Sequence, residues 1–130
     1  MECVLCTDLT QTGDVVYDDD AAAVVLHSDW SVRGHAMVIA KRHVENFSDL
    51  DDDRFVDIWR KTERILLELT GCERAVIMKL GIATPHLHVH IYPVRASATR
   101  EEVFAAIDGK TRVKRDEEFV ETVKSGLRQR

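Results

Sequence analysis

The sequence predicts an α+β domain: an antiparallel sheet of about five strands, one long helix and a helical C-terminal tail. Two observations carry that expectation. Short β-branched apolar runs fall before and after a single long amphipathic stretch, an order that suits an antiparallel layer better than alternating parallel units. The chain has 130 residues, 45% hydrophobic and 32% charged, the mixture of a globular domain rather than a disordered one. At this size about two-thirds of the unfolded surface is buried on folding, enough for one core without staples.

Val15-Val16-Tyr17 starts as a strand, Asp18-Asp19-Asp20 turns the chain, and Ala23-Val24-Val25-Leu26 continues as a second strand. Ser28 to Gly34 reads as a polar loop, and 35–40 as a third strand running into Lys41-Arg42 and His43. Residues 51–70 form the clearest helix. Asp51 is placed to cap it, Asp52 and Asp53 favour its positive end, and Gly71 stops it. Phe55, Ile58, Trp59, Thr62, Leu66 and Leu69 recur at three- and four-residue spacing and make one apolar face, with Trp59 assigned to the core or a subunit contact. Strands follow at 74–80 and 86–92, separated by a turn at Gly81. The tail reads as two short charged helices, 100–108 and about 115–127, broken at Gly109. A catalytic unit at 1–95 and a charged helical extension at 96–130, packed on the same domain, are therefore expected.

Charge and cysteine content narrow the class. Eighteen Lys and Arg against 23 Asp and Glu give a net charge of −5, which argues against a general nucleic-acid coat. No apolar run approaches the roughly 20 residues of a membrane span. The start, Met1-Glu2-Cys3, lacks the basic and then apolar pattern of a secretory signal, so a cytoplasmic protein is expected. Three cysteines are too few for a disulfide scaffold. Cys72 reads as core or surface filler, whereas Cys3 and Cys6 form a C-x-x-C suited to a metal, to redox chemistry or to no cofactor at all.

The informative stretch is Pro85-His86-Leu87-His88-Val89-His90-Ile91-Tyr92-Pro93. On a strand, alternate side chains share a face, so the three histidines point one way and Leu87, Val89 and Ile91 the other. Three imidazoles on one face fit two chemistries. They can bind one metal, as in three-histidine sites, or one can attack an electrophile while its neighbours position the leaving group.

His-Leu-His-Val-His-Ile-Tyr resembles the histidine triad motif, His-φ-His-φ-His-φ-φ with φ apolar, of the HIT nucleotide hydrolases and transferases. Gly34-His35-Ala36-Met37-Val38-Ile39-Ala40-Lys41-Arg42-His43 is similar to that family's Gly-His strand, with Ala40 where proline is usual. Cys3-Val4-Leu5-Cys6 resembles the N-terminal pair of its zinc-binding members. The resemblance covers roughly residues 3–95. It implies the HIT-like fold, a homodimer and a nucleotidyl-histidine mechanism. His88 would attack the α-phosphorus of a nucleotide conjugate, such as a dinucleoside polyphosphate or nucleoside phosphoramidate. His90 would assist the leaving group, and His35 would support the triad. Phosphate or a sugar phosphate as acceptor would make the chain a phosphorylase or nucleotidyltransferase instead, and loss of turnover a binding module. The same resemblance implies a structural zinc on Cys3, Cys6, His43 and His86. Met37 and Thr84, with Leu5, match positions that line the nucleotide pocket.

The departures fall on substrate contacts. The family's ribose-binding aspartate corresponds to His27, with Asp29 near enough to take its place. Its Gly-Gln-x-φ before the triad is here Gly81-Ile82-Ala83-Thr84, which loses polar groups on the phosphate side and leaves Lys79 as the nearby cation. A neutral imidazole offers one acceptor nitrogen where a carboxylate serves two vicinal hydroxyls, so weaker discrimination for ribose is expected if His27 fills the role.

Overall fold

Alternating apolar residues in β1 (Gly13–Asp18), β2 (Ala22–His27), β3 (Ala36–Ala40), β4 (Arg74–Met78) and β5 (His88–Val94) build one antiparallel sheet in the computed structural model. The spatial order is β1-β2-β3-β5-β4. The structure describes residues 3–129; Met1, Glu2 and Arg130 lie outside the described residues. The described residues also form four α-helices, α1 (Val4–Thr7), α2 (Arg54–Thr70), α3 (Arg100–Ile107) and α4 (Glu117–Arg128). This is the α+β architecture that the strand and helix order predicts.

Period-two alternation gives the sheet two unlike faces. Val24 and Leu26, Ala36, Val38 and Ala40, and Val89 and Ile91 point toward α2 and α4. There they join Phe55 and Leu66 of α2 and Phe119, Val123 and Leu127 of α4 in the main core. Each fully buried Leu or Phe contributes about 1.5–3 kcal/mol of transfer free energy. The opposite face carries Val25, Met37 and Ile39 beneath Leu5 as a smaller cluster. By the same alternation it carries His27, His35, His88, His90 and Tyr92.

Local chemistry sets the connections. Asp19 Oδ1 accepts from the backbone N–H groups of Ala21 and Ala22 (2.7 and 2.9 Å), turning β1 into β2. At Gly13, φ is +155° and an added Cβ would lie 2.0 Å from the Leu26 carbonyl oxygen, so the strands meet only because this residue has no side chain.

Helix α2 begins at Arg54 rather than at residue 51. Asp51 is tied to Arg42 at 2.7 Å, and the Asp52 carboxylate accepts from the Arg54 N–H at 3.0 Å. Gly71 ends the helix in the left-handed region and donates its N–H to the Leu67 carbonyl (2.9 Å). Buried Thr62 stays satisfied by donating its hydroxyl to the Ile58 carbonyl (2.7 Å). Strand β4 stops at Met78, two residues short of the expected end. β5 starts at His88, not His86, because the Leu87 backbone pairs outside the ladder: its N–H donates to Val44 O and its carbonyl accepts from Ala40 N–H.

After β5, α4 packs against β1 and α2 and gives Phe119, Val120, Val123 and Leu127 to the main core. α3 is capped by Thr99 and Glu102 in a reciprocal box, and α4 by Asp116. No helix among the described residues is long and apolar enough to cross a membrane.

Candidate active site

Strand β5 carries His88 and His90 on the face turned away from α2, and His35, the residue before β3, lies beside His90. His88 Nδ1–H donates to the His86 backbone carbonyl at 2.7 Å. That bond fixes the tautomer and leaves the Nε2 lone pair free, the form of imidazole that can act as a nucleophile. His88 and His90 face an open cavity of about 260 Å³ that is also lined by Met78, Leu80, Ile82 and Thr84.

His90 Nδ1 and His35 Nε2 share a hydrogen bond of 2.9 Å. When His35 donates it, the His90 proton resides on Nε2 and can be offered to a phosphate oxygen. Burial, followed by the neighbouring His27 and His90 rings, pulls the His35 pKa down to about 3. Burial and then His88 and His27 pull His90 down to about 4. Both are therefore neutral at pH 7. His35 is also the middle ring of a stack, with His27 at 4.6 Å and 12° on one side and Tyr92 at 4.2 Å and 20° on the other.

His27, Asp29, His35 and His90 line a second cavity of about 310 Å³, with Thr111 and Arg112 from the α3–α4 connection. His90 borders both cavities. His27 Nδ1 is committed to the Asp29 backbone, 3.1 Å from its N–H and 3.0 Å from its carbonyl. The Asp29 carboxylate pairs with Arg112 at 3.2 Å. Met37 is buried and sits opposite His90 in the β3–β5 register. A larger cavity, about 620 Å³ behind α3, is lined by no histidine, so volume alone does not mark the chemistry.

His86 occupies the turn before β5 and is 1% exposed. Its Nε2–H donates to the Ala40 carbonyl at 2.6 Å, which leaves Nδ1 as the unprotonated atom. Nδ1 lies 3.0 Å from His43 Nδ1, 3.4 Å from Cys3 Sγ and 3.3 Å from Cys6 Sγ. All four donor atoms fall within 4.8 Å of one another. Two sulfurs and two nitrogens converging in this way fit a closed tetrahedral zinc site, and the Ala40 carbonyl is the outer partner that orients such a ligand.

A family model described as the HIT domain matches residues 9–97. The chain belongs to the HIT domain family. An uncharacterised HIT-like protein of Methanocaldococcus jannaschii is 29% identical over 101 residues, covering 70% of this chain and 78% of that protein. The bifunctional bis(5'-adenosyl)-triphosphatase/adenylylsulfatase of Arabidopsis thaliana is 28% identical over 86 residues, 58% of this chain, which spans about half (48%) of that protein's length. A zinc-bound histidine triad family protein from Mycobacterium smegmatis shares the fold, with a TM-score of 0.68 at 21% identity over 98% of this chain and 94% of the other. Family membership gives nucleotide-directed hydrolase or transferase chemistry at a general level, and the Cys–His cluster fits the family's zinc-binding subgroup.

Apart from Met37, buried opposite His90 in the smaller core cluster, the site candidates named from the sequence fall into two groups. His27, Asp29, His35, His88, His90 and Thr84 surround the two smaller cavities. Cys3, Cys6, His43 and His86 form the donor cluster. Tyr92, Thr111 and Arg112 were not among the candidates. Tyr92 carried a signal, being the next residue in the His86-His88-His90 alternation; nothing in the charged tail distinguishes Arg112.

Proposed function

We propose that the chain hydrolyses a nucleotide conjugate at its α-phosphate, a dinucleoside polyphosphate or a nucleoside phosphoramidate, through a nucleotidyl-histidine intermediate. The observation that carries this reading is the His88 Nδ1–H bond to the His86 carbonyl, which leaves Nε2 as a free nucleophile beside an open cavity. His88 Nε2 forms a bond to the α-phosphorus as the bond to the departing group breaks. His90 donates to a phosphate or bridging oxygen, and His35 holds its ring through the 2.9 Å bond. Water then attacks the phosphorus, releasing the nucleoside monophosphate and restoring neutral His88. The nucleotide part occupies the cleft at His27, Asp29 and His35, near Met37. The departing group lies toward Thr84.

Zinc on Cys3, Cys6, His43 and His86 supplies a rigid tetrahedral anchor when bound. His86 is itself the residue whose carbonyl orients His88, so the donor cluster and the nucleophile are linked through one backbone group. A homodimer is part of the proposal. β4 is an edge strand whose Val76 and Ile77 are half-buried, and α2 leaves Ile58, Trp59 and Leu69 half-buried on its flank. A second copy covering these residues predicts a dimeric mass by sedimentation equilibrium, and a monomeric mass at micromolar concentration contradicts it.

The test is a panel of adenylated and guanylated conjugates read by mass spectrometry in ¹⁸O-labelled water. Hydrolysis places one labelled oxygen on the released nucleoside monophosphate. Unlabelled monophosphate, or transfer of the nucleotidyl group to added phosphate, contradicts hydrolysis. No product from any conjugate removes the reading.

A further inference from the structure

We propose that the arm joining α3 to α4, residues 108–116, is a wall of the nucleotide cleft, and that Arg112 is a specificity-determining residue. In this proposal Arg112 holds the Asp29 carboxylate where it accepts the vicinal hydroxyls of a ribose. The inference rests on the nucleotide reading given above. It assigns a role to a segment beyond residue 97, where the HIT domain match ends.

The arm is pinned on both sides of Arg112. The Thr111 hydroxyl donates to the Ser31 carbonyl (2.8 Å), and the Val113 N–H donates to the Trp30 carbonyl (2.8 Å). Further along, Arg115 pairs with Asp14 at 2.7 Å and lies over the Trp30 ring, 5.1 Å from its centroid. Trp30 is 1% exposed, so the arm is attached to a buried anchor rather than to a loose loop. Between these attachments Arg112 reaches Asp29 at 3.2 Å, on the lining of the cavity that contains His27, His35 and His90.

Stability does not explain the Arg112–Asp29 pair. Both side chains are 68% exposed, and pairs of that kind contribute little. Position does explain it. His27 has one ring nitrogen committed to the Asp29 backbone and only the other left for a ligand, so it cannot serve two hydroxyls. An ionised carboxylate has about four acceptor sites. Arg112 occupies part of that capacity and fixes the group, and the remainder is free for a sugar.

Calorimetric binding of AMP, dAMP, GMP and dGMP tests the proposal without requiring turnover. Wild-type protein is expected to favour each ribonucleotide about tenfold, the worth of a hydrogen bond to a charged group. Asp29→Ala should bring that ratio close to one. Arg112→Ala should reduce it severalfold while leaving deoxynucleotide affinity within about twofold, and Arg112→Lys should recover part of it. Arg112 is exposed, so the melting temperature of its variants should match wild type and exclude misfolding. A ratio untouched by Arg112→Ala, equal weakening of both sugars, or a ratio that follows His27→Ala instead overturns the assignment. Absence of nucleotide binding overturns it together with the nucleotide reading. A nucleotidyl adduct on His88 alongside a ratio insensitive to Arg112 overturns the arm's role alone.

Discussion

His35 and His90 are held neutral by burial, with pKa values of about 3 and about 4, and they share a hydrogen bond of 2.9 Å. In an unfolded chain each titrates near 6.5. The unfolded state therefore binds more protons than the native state as pH falls below about 6.5, and stability must drop on acidification. At pH 5, about 1.5 units below the unfolded value, each group costs about 2 kcal/mol relative to pH 8, so the two together cost about 4 kcal/mol. The loss should level off once the native protein takes up the same protons, near pH 4 for His90 and then near pH 3 for His35. Urea unfolding at pH 8 and pH 5 measures it, with His35→Gln as the comparison. That variant should lose about 2 kcal/mol less than wild type between pH 8 and pH 5, the contribution of one imidazole. Proton-driven loss of metal acts on both proteins alike and cancels in the difference. His90→Gln provides a second, independent variant with the same expected saving. Equal pH dependence in wild type and both variants would refute the account of buried neutral imidazoles.

Metal analysis should find one zinc per chain on Cys3, Cys6, His43 and His86; at free zinc one hundred times Kd the linked stabilisation is about 2.7 kcal/mol, read as a melting temperature that falls on chelation and falls less in Cys6→Ser. Leu66 is fully buried between α2 and the sheet, so Leu66→Ala should cost about 2–5 kcal/mol in chemical denaturation without altering the metal content. Gly13→Ala places a methyl 2.0 Å from the Leu26 carbonyl oxygen and should destabilise the β1–β2 pair by at least ~1–3 kcal/mol, seen as early loss of amide-exchange protection at Val25 and Leu26.

Most of the architecture was legible because its period was legible. The apolar alternation in β2, β3 and β5 and the spacing of Phe55, Thr62 and Leu66 in α2 state which side of each element is buried. Boundaries were less so, since side-chain chemistry moved them. Asp51 was available to cap the helix, but Arg42 engages it, Asp52 accepts the Arg54 N–H, and the helix begins only at Arg54 with Asp53 in the N-cap position. His86 was expected on the strand, yet the contacts of Leu87 with Ala40 and Val44 place it in a turn, where its Nδ1 meets the two cysteines and His43. The histidines themselves could be named from a short motif because triad spacing puts them on one face. The approach of Arg112 to Asp29 could not, because it depends on how the α3–α4 arm folds back over the Trp30–Ser31 loop. No local pattern encodes a contact across that separation.

Trapping the covalent intermediate tests the central claim most directly. Wild-type protein mixed with a radiolabelled adenylated or guanylated conjugate, quenched in alkaline denaturant within milliseconds and digested for mass spectrometry, should carry a nucleoside monophosphate on His88 and nowhere else. His88→Ala should carry none and show no turnover, while its fold and its nucleotide affinity persist. Label on another residue, or turnover undiminished in His88→Ala, would contradict the assignment of His88 as the nucleophile.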